Sequence, residues 1–316
     1  HILLLQRPRA DGPARAPRAM AEVLDTAPYT SGEKIERPVV YTARDLILYA
    51  LGIGSTDLRY TFEKHPDFAA FPTYPIVLTF KGDSFDALPF PSPIMDAYPF
   101  PPLEETVRLD AEKLIEKLAE IPKEGAQLKL VGGVVGVHAK GKGALCERVF
   151  EIADAAGKVY YRMVDATFML GVRPFKGSGA SFSKAAPPPA GAPHHSVEAK
   201  TDEHVASIYR LSGDYNPLHV DAAVAQGAGF EQPIMHGQCT MGFVTRSLLE
   251  SLAGGDQRRF RSVQLRFASP VMPGQTLVTE VWRVSPTEYI FQTKVKETGK
   301  VCVSNGRLLL SPEGKL

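Results

Sequence analysis

The chain has 316 residues, enough for two domains of ordinary size or for one large domain. Apolar residues make up 44% of the sequence and charged residues 22%, proportions that exclude a fibrous or disordered chain and predict a sizeable core. Lys and Arg number 36, against 35 for Asp and Glu. The resulting net charge of +1 predicts no general attraction to nucleic acid or to an anionic membrane surface.

Residues 1–19 differ from the rest of the chain, because they are rich in Arg, Pro and Ala and contain one acidic residue, Asp11. We interpret them as an extension or a remnant of expression cloning, with a transit peptide as the less favoured alternative. No apolar run approaches the roughly 18 residues of a membrane-spanning helix. The three cysteines are widely spaced and form no Cys-x-x-Cys pair, so we expect neither a zinc site nor a disulfide framework, and a reducing compartment fits best.

The first half of the chain reads as a helix followed by an antiparallel sheet. Residues 45–52 have apolar side chains at helical spacing and end on a glycine, which predicts a helix. Two strands are predicted at 146–152 and 159–170, on either side of a turn. The stretch 60–105 is rich in Pro and Phe and contains no long helical pattern.

Residues 173–197 contain almost no large apolar side chains and predict a linker. The linker separates an N-terminal domain, 20–172, from a C-terminal domain, 198–316. In the C-terminal domain the sequence predicts a short helix before Gly213 and a long apolar-faced helix at 237–252. Four strands are predicted after it, at 263–267, 277–284, 289–295 and 301–310.

The two halves show signs of a repeat. At an offset of 160 residues, Leu48-Tyr49-x-Leu51 aligns with Ile208-Tyr209-x-Leu211, and the hairpin strands correspond as well. The simplest packing in the second half is a sheet wrapped around the long helix. If the halves are duplicates, the first has lost or unwound its central helix, and the released space could hold a ligand.

The segment after the short helix of the second half places Asp214, Asn216 and His219 within six residues, with Pro217 stiffening the turn. Such a loop can direct a carboxylate, an amide and an imidazole at one small region, as a general acid/base reaction requires. The alternative is structural: Asp and Asn also form turns, and a histidine can be a hydrogen-bonded core residue. On residue types alone the two interpretations are equally favoured.

A second segment ends at His236-Gly237, where the long helix begins. A helix N-terminus presents free N–H groups and a partial positive charge, which suit an oxyanion formed on a thioester, and Gly237 permits close approach. A plain helix entry is the alternative. Metal ligation by Asp214, His219 and His236 is possible by residue type, but these residues lack an HxH or HExxH spacing.

The run YRLSGDYNPLHVD, followed by AGFEQPIMHGQCT, resembles the hydratase motif of the MaoC-like, type 2 enoyl-CoA hydratases. The similarity continues through RFASPVMPGQT and reaches YALGIG and FPT in the first half, so it covers nearly the whole chain beyond Met20. The resemblance implies an α+β double hot-dog fold, with two antiparallel sheets that each wrap a helix. The central helix of the N-terminal copy is expected to be reduced or missing.

The resemblance also implies an activity, the hydration of trans-2-enoyl-CoA to (3R)-3-hydroxyacyl-CoA in fatty-acid β-oxidation, without a metal or an organic cofactor. Asp214 and His219 then form the acid/base pair, Asn216 helps to hold the water and the Gly237 N–H binds the thioester oxygen. Which of the pair is the base stays open. The remaining substrate contacts are expected at Lys140, which would meet the CoA moiety or be a solvated hairpin lysine, and at Phe267, Tyr215 and His236.

The first half is expected to be catalytically silent, because Gly54 stands opposite Asp214 and the residues after it supply neither the Asn nor the His. Its expected role is to complete a pseudo-dimer and to accommodate the acyl chain. One departure concerns Leu109-Asp110-Ala111-Glu112, where many relatives carry a segment like His-Gly-Glu-Gln. Contacts made there in relatives cannot be transferred, which leaves the chain-length preference open.

The C-terminal Gly314-Lys315-Leu316 resembles a peroxisomal Ser-Lys-Leu signal with Gly at its first position. The resemblance therefore favours a peroxisomal location, with the cytosol as the alternative, and a homodimer. Two other functions remain open on the same scaffold: a hot-dog acyl-CoA thioesterase, and a non-catalytic module that binds acyl-CoA.

Overall fold

A computed structural model describes residues 22–184 and 186–312 of the chain. The extension predicted at 1–19 and the signal-like residues 314–316 lie outside this described part. Within it, no helix combines the length and apolar character needed to cross a membrane.

The first half combines short helices with long strands. Its strands are β1 (Leu24–Asp25), β2 (Ile35–Thr42), β3 (Val107–Lys117), β4 (Gly125–Lys140), β5 (Gly143–Ala153), β6 (Val159–Leu170), β7 (Phe175–Lys176) and β8 (Ser178–Gly179). Its helices are α1 (Ala27–Thr30), α2 (Ala43–Gly52), α3 (Leu58–Thr61), α4 (Leu78–Lys81) and α5 (Pro93–Asp96), with a 3₁₀ helix at Tyr74–Val77.

The second half contains one long helix and five strands. The strands are β9 (His195–Lys200), β10 (Phe260–Phe267), β11 (Thr276–Ser285), β12 (Glu288–Val295) and β13 (Val301–Leu310). The helices are α6 (Val205–Tyr209), α7 (Ala222–Gly227) and α8 (Gly237–Ala253), with 3₁₀ helices at Arg210–Ser212, Pro217–His219 and Gln257–Arg259.

The long strands of both halves form one continuous sheet in the order β2-β4-β5-β6-β3-β10-β13-β12-β11-β9. The sequence predicts two sheets, and the structure joins them because β3 pairs with β10 in antiparallel register, with Ile115 opposite Val263 and Lys113 opposite Leu265. Left apart, β3 and β10 would each expose a row of unpaired N–H and C=O groups, and their pairing satisfies both rows.

Helix α8 lies against the inner face of the sheet in the second half, as the sequence predicts. Its side chains Met241, Val244 and Leu248 are buried in one core with Val263 and Leu265 of β10. The helix ends at Gly254, whose left-handed conformation (φ +59°) is typical of a helix C-cap.

The first half has no counterpart to α8 among its described residues. It contains helices of four residues instead, α3, α4 and α5, together with the 3₁₀ helix that has Pro75 in its first turn. The prolines in this stretch lack an N–H and restrict helices to short turns. The predicted double hot-dog with a reduced first central helix is therefore confirmed.

The segment predicted as a linker, 173–197, has its own pairing in the structure. Strand β7 pairs with β1 and strand β8 with β4, and the N–H groups of Phe182 and Ser183 donate to the carboxylate of Glu147. Strand β9 begins at His195, before the boundary predicted at residue 198. Low apolar content predicts little contribution to a core, but it leaves the main chain able to pair along a sheet.

The two halves also meet through α2, α6 and α8. Helix α2 is fixed at its start by a capping box between Thr42 and Asp45. Its C-terminal Gly52 packs against Tyr209 of α6, and a Cβ atom at Gly242 of α8 would lie 2.3 Å from Cγ2 of Ile53. The glycines therefore let the helices of the two halves approach closely.

We expect Gly242→Ala to destabilise the fold by about 1–3 kcal/mol, because the new methyl group would overlap Ile53. The direction is the reverse of the usual effect of alanine in a helix, which is a gain of up to about 1 kcal/mol over glycine. Gly227→Ala in α7 is the matched control, since nothing lies within 4 Å of a Cβ atom there. Thermal unfolding followed by circular dichroism measures both, and equal melting temperatures for the two variants would contradict the packing described here.

Candidate active site

A sharp turn after α6 directs the chain into the site. The 3₁₀ turn that follows α6 ends at Gly213, whose φ of +137° is strained for any residue with a side chain. A Cβ atom at Gly213 would lie 2.9 Å from the backbone nitrogen of Lys81 in α4. Glycine is therefore required both by the turn and by the close approach of the first half.

The residues after Gly213 are held by local hydrogen bonds. The Asn216 N–H donates to Oδ1 of Asp214 at 3.2 Å, and Oδ1 of Asn216 accepts the N–H of Leu218 at 3.0 Å. Pro217 then begins the 3₁₀ helix that ends at His219. This geometry brings side chains five positions apart to one place.

The two histidines of the site are stacked. The ring centroids of His219 and His236 lie 3.7 Å apart, and both residues are almost fully buried. Nδ1 of His219 lies 2.8 Å from the carbonyl oxygen of Ile234, and Nε2 of His236 lies 3.1 Å from the carbonyl oxygen of Asp214. The second ring also packs on Tyr209, with centroids 5.0 Å apart.

Burial keeps both imidazoles neutral. It lowers the pKa of His219 to about 4 and holds the pKa of His236 well below its usual value, the latter with a contribution from His219. A neutral ring carries one N–H, and a carbonyl oxygen only accepts, so each ring donates from the nitrogen that faces its carbonyl. Nε2 of His219 and Nδ1 of His236 therefore keep their lone pairs at neutral pH.

Asp214 shows the opposite shift. Desolvation of its carboxyl group raises the pKa of Asp214 to about 6, against the lowering effects of the Asn216 N–H, Lys113 and Arg210. A carboxyl group of this kind gains and loses a proton close to neutral pH. The site therefore combines one group suited to proton transfer with two imidazoles that accept hydrogen bonds.

The start of α8 supplies a different kind of group. Gly237 is its first residue, preceded by His236, whose side chain does not cap the helix, and the helix runs for 17 residues. A Cβ atom at Gly237 would lie 3.1 Å from the ring of Phe267. Together with Met235, Thr240, Val271 and Cys302, these two residues line a small cavity. A helix N-terminus without a side-chain cap favours a partial negative charge on a ligand oxygen.

The other residues predicted to contact substrate are placed differently. Tyr215 is half-buried, with the guanidinium of Arg210 4.7 Å from its ring centre, and it lines a separate cavity with Arg44 and Lys81. Lys140 is exposed at the end of β4, next to the turn into β5. The structure thus gathers Asp214, Asn216, His219, His236, Gly237 and Phe267, and the contacts that define this group do not include Lys140.

The sequence spacing gave little reason to expect a metal site, but the fold brings the three candidate ligands together. One potential ligand atom each from Asp214, His219 and His236 lies within 4.8 Å of the others. Each imidazole ring also donates a hydrogen bond to a backbone carbonyl oxygen, as metal-binding histidines commonly do. These residues are chemically able to hold a divalent ion.

Sequence reasoning missed a buried group of charges next to the site, formed by Asp110, Lys113, Arg148 and Asp165. These residues lie on strands of the first half, on the face that turns towards the core. The signal for them was present, because Lys113 stands two residues before the core residue Ile115 on the same strand face. Only Asp110 was singled out, as part of the departure at 109–112.

The fold and the site together define a double hot-dog protein whose second half gathers a carboxyl group and two imidazoles at the start of its central helix. Two family models match the chain: a MaoC like domain over residues 184–305, and an MFE-2 hydratase 2 N-terminal domain over residues 40–171. The chain belongs to the MaoC-like, hydratase 2 family.

Several relatives extend the match over most of the chain. A probable enoyl-CoA hydratase 2 from Dictyostelium discoideum is 34% identical, over 87% of this chain and 94% of that protein. The peroxisomal multifunctional enzyme type 2 of Drosophila melanogaster is 35% identical over 96% of this chain, which spans about half (51%) of that longer protein. The crystal structure of a MaoC-like dehydratase from Phytophthora capsici is 37% identical with a TM-score of 0.84, over 90% of this chain and 98% of that one.

The raised pKa of Asp214 leads to a prediction about stability. A carboxyl group with a pKa of about 6 in the folded state and about 3.9 in the unfolded state stabilises the fold below pH 4, and this contribution is lost as the pH rises through 6. Asp214→Asn stays uncharged, so we expect it to be more stable than the unsubstituted protein by about 1–2 kcal/mol at pH 8 and equally stable near pH 4.

Urea unfolding at the two pH values measures this difference. Asp221→Asn is the control, because Asp221 is exposed and caps α7, a position where Asn serves as well as Asp. A loss of stability at pH 8 in Asp214→Asn would show that the ionised carboxylate is a favourable part of the fold.

Proposed function

We propose that the protein adds water to trans-2-enoyl-CoA thioesters to give (3R)-3-hydroxyacyl-CoA, and catalyses the reverse dehydration. The observation that carries the proposal is the convergence of Asp214 and His219 at the N-terminus of α8, beside Gly237. The relatives named enoyl-CoA hydratase 2 support this choice of reaction. The reaction needs no redox partner, since water adds across a double bond.

The reaction requires a base for the water, an acid for C2 and a donor for the thioester oxygen. Asp214 takes one proton from the water while the water oxygen bonds to C3. The negative charge that moves to the thioester oxygen is stabilised by the Gly237 N–H and the partial positive charge of the helix start. Asp214 then returns its proton to C2, so that its carboxylate ends in the ionised state in which it started.

The pKa values favour Asp214 over His219 as the base. A proton-transfer group works best when its pKa lies near the working pH, and the pKa of Asp214 is about 6 whereas that of His219 is about 4. Nε2 of His219 instead accepts the second hydrogen of the water, which stays on the product hydroxyl. The Nδ2 group of Asn216 is the donor that holds the water oxygen, because its Oδ1 already accepts the Leu218 N–H.

The remaining roles follow from this assignment. The first half completes the site and receives the acyl chain, and His236 and Phe267 line the place of the thioester. Lys140 and the half-buried Tyr215 are the proposed contacts for the CoA moiety, whose phosphates would meet a few local cations. A peroxisomal location and a homodimer are part of the same proposal, supported by the peroxisomal names of relatives.

We expect Asp214→Asn and His219→Gln each to lower kcat for hydration by about 10²–10⁴, because each removes a group that acts on the water. The loss of the conjugated enoyl-thioester absorbance of crotonyl-CoA measures the rate, with chiral analysis of the product. Asp221→Asn, the exposed cap of α7, is the control and keeps the full rate. Release of free thiol would instead identify a thioesterase, and tight binding without turnover would identify a binding module.

The rate should also depend on pH in a defined direction. If Asp214 must be ionised to take the proton, kcat/KM falls below an apparent pKa of about 6 and is level above it until another group titrates. His219 is already neutral throughout this range, since burial lowers its pKa to about 4. A pH profile from 3 to 8 tests this, and an acid limb near 4 in place of 6 would make His219 the base.

A further inference from the structure

Four charged residues form a row on the inner face of the sheet in the first half. Asp110 and Lys113 lie on β3, Asp165 on β6 and Arg148 on β5, and the sheet register places Lys113 opposite Asp165 and Asp165 opposite Arg148. A β-bulge between Asp110 and Glu112 shifts the alternation of β3. Asp110 and Lys113 therefore share the inner face.

The charges of the row are paired with one another. Nζ of Lys113 lies 2.5 Å from Oδ1 of Asp110 and also pairs with Asp165, which in turn pairs with the guanidinium of Arg148. Arg148 further donates to the carbonyl oxygen of Tyr98 at 3.1 Å and lies 4.0 Å from the ring centre of Phe100. The row is thus a fixed, neutral and buried ion group.

The row begins beside the proposed thioester position. Lys113 stands directly opposite Leu265 of β10, and Phe267, which contacts Gly237, lies two residues further along the same face of β10. Diagonal neighbours on adjacent strands are roughly 7–8 Å apart. Consistent with this distance, the charge of Asp214 contributes to the raised pKa of Asp110.

On its other side the site has little room. The cavity next to Gly237 and Phe267 is mostly apolar, but its volume is only about 20 Å³, far below that of ordinary ligand pockets and enough for roughly one water-sized group. A single methyl group, such as the end of a crotonyl tail, is about the largest group that this volume holds. A longer tail would have to continue across the inner face of the first half, where it meets the charged row.

We propose that the row of Asp110, Lys113, Asp165 and Arg148 restricts this protein to enoyl thioesters with short acyl tails. The inference rests on the proposed hydratase function and adds the substrate class. Each methylene group of the tail that moves from water onto an apolar wall increases the binding constant of the substrate roughly fourfold. Against paired charges that gain in binding is absent. A tail could enter only by separating the ion pairs, and the separated charges would then be left without a compensating partner.

The test compares kcat/KM for crotonyl-CoA and trans-2-decenoyl-CoA. We expect the unsubstituted protein to prefer crotonyl-CoA by at least about tenfold. In the double variant Lys113→Met with Asp110→Ala, one charge of each sign is lost and the pair between Asp165 and Arg148 remains. We expect the ratio to shift at least about tenfold towards decenoyl-CoA, since the wall next to Phe267 becomes apolar.

Lys294→Met with Glu280→Ala is the matched control, because it removes an ion pair of the same kind on β11 and β12, away from the site. Asp110→Asn is a second, nearly isosteric variant in case the double variant does not fold, and we expect a shift of about two- to threefold in the same direction. Circular dichroism verifies the folding of each variant.

The outcomes separate the two proposals. Equal or faster hydration of decenoyl-CoA by the unsubstituted protein would overturn the inference, as would an unchanged ratio in both folded variants of the row. Failure of the folded, unsubstituted protein to hydrate either substrate would instead contradict the proposed function.

Discussion

The antiparallel pairing of β3 with β10 is the contact on which the rest of the structure depends, because it turns two half-molecules into one sheet. Both halves contribute to the surroundings of the candidate site. The second half supplies Asp214, His219 and the start of α8, whereas the first supplies Lys81 beneath Gly213 and the inner-face wall that continues from Phe267. Since the register of β3 against β10 sets which side chains face each other across the junction, a slip of one residue would turn Lys113 away from the site.

Burying the ionisable groups of the site lowers the stability of the fold. An ionisable carboxyl group with a pKa of about 6 and two imidazoles kept neutral by burial are groups that water would solvate better. The packing that holds them comes from an aromatic chain across the halves, from His236 through Tyr209 to Tyr49, with ring centroids 5.0 and 5.8 Å apart. Such rings contribute apolar area with few rotatable bonds, so they fix the histidines without adding charges that would oppose the raised pKa of Asp214.

Much of the fold follows from patterns that are local in the sequence. The apolar stripe and glycine stop of α8, and the alternation of β10, depend on neighbouring residues and were predictable within a few positions. The convergence of Asp214 with His219 was also predictable in kind, since a turn of six residues brings them together. The join between the sheets and the buried charges were not. Both depend on residues far apart in sequence, and a lysine in a strand normally indicates solvent until its partners on other strands are known.

If only the second half is catalytic, as we propose, a duplicated fold leaves the first half free to change the wall of the site. At the offset of 160 residues Gly54 aligns with Asp214 in the sequence, and in the structure short helices and turns containing Pro75 and Pro93 stand in place of a long helix. Buried residues of the short helices and turns, such as Phe71, Tyr74 and Leu78, fill the core of this half in its place. Under the proposed function, the side chains on the inner face of the sheet decide how far a substrate extends. Here the bulge in β3 turns Asp110 and Lys113 inward together, so a single irregularity in one strand both breaks the apolar alternation and places a neutral ion group beside the candidate site.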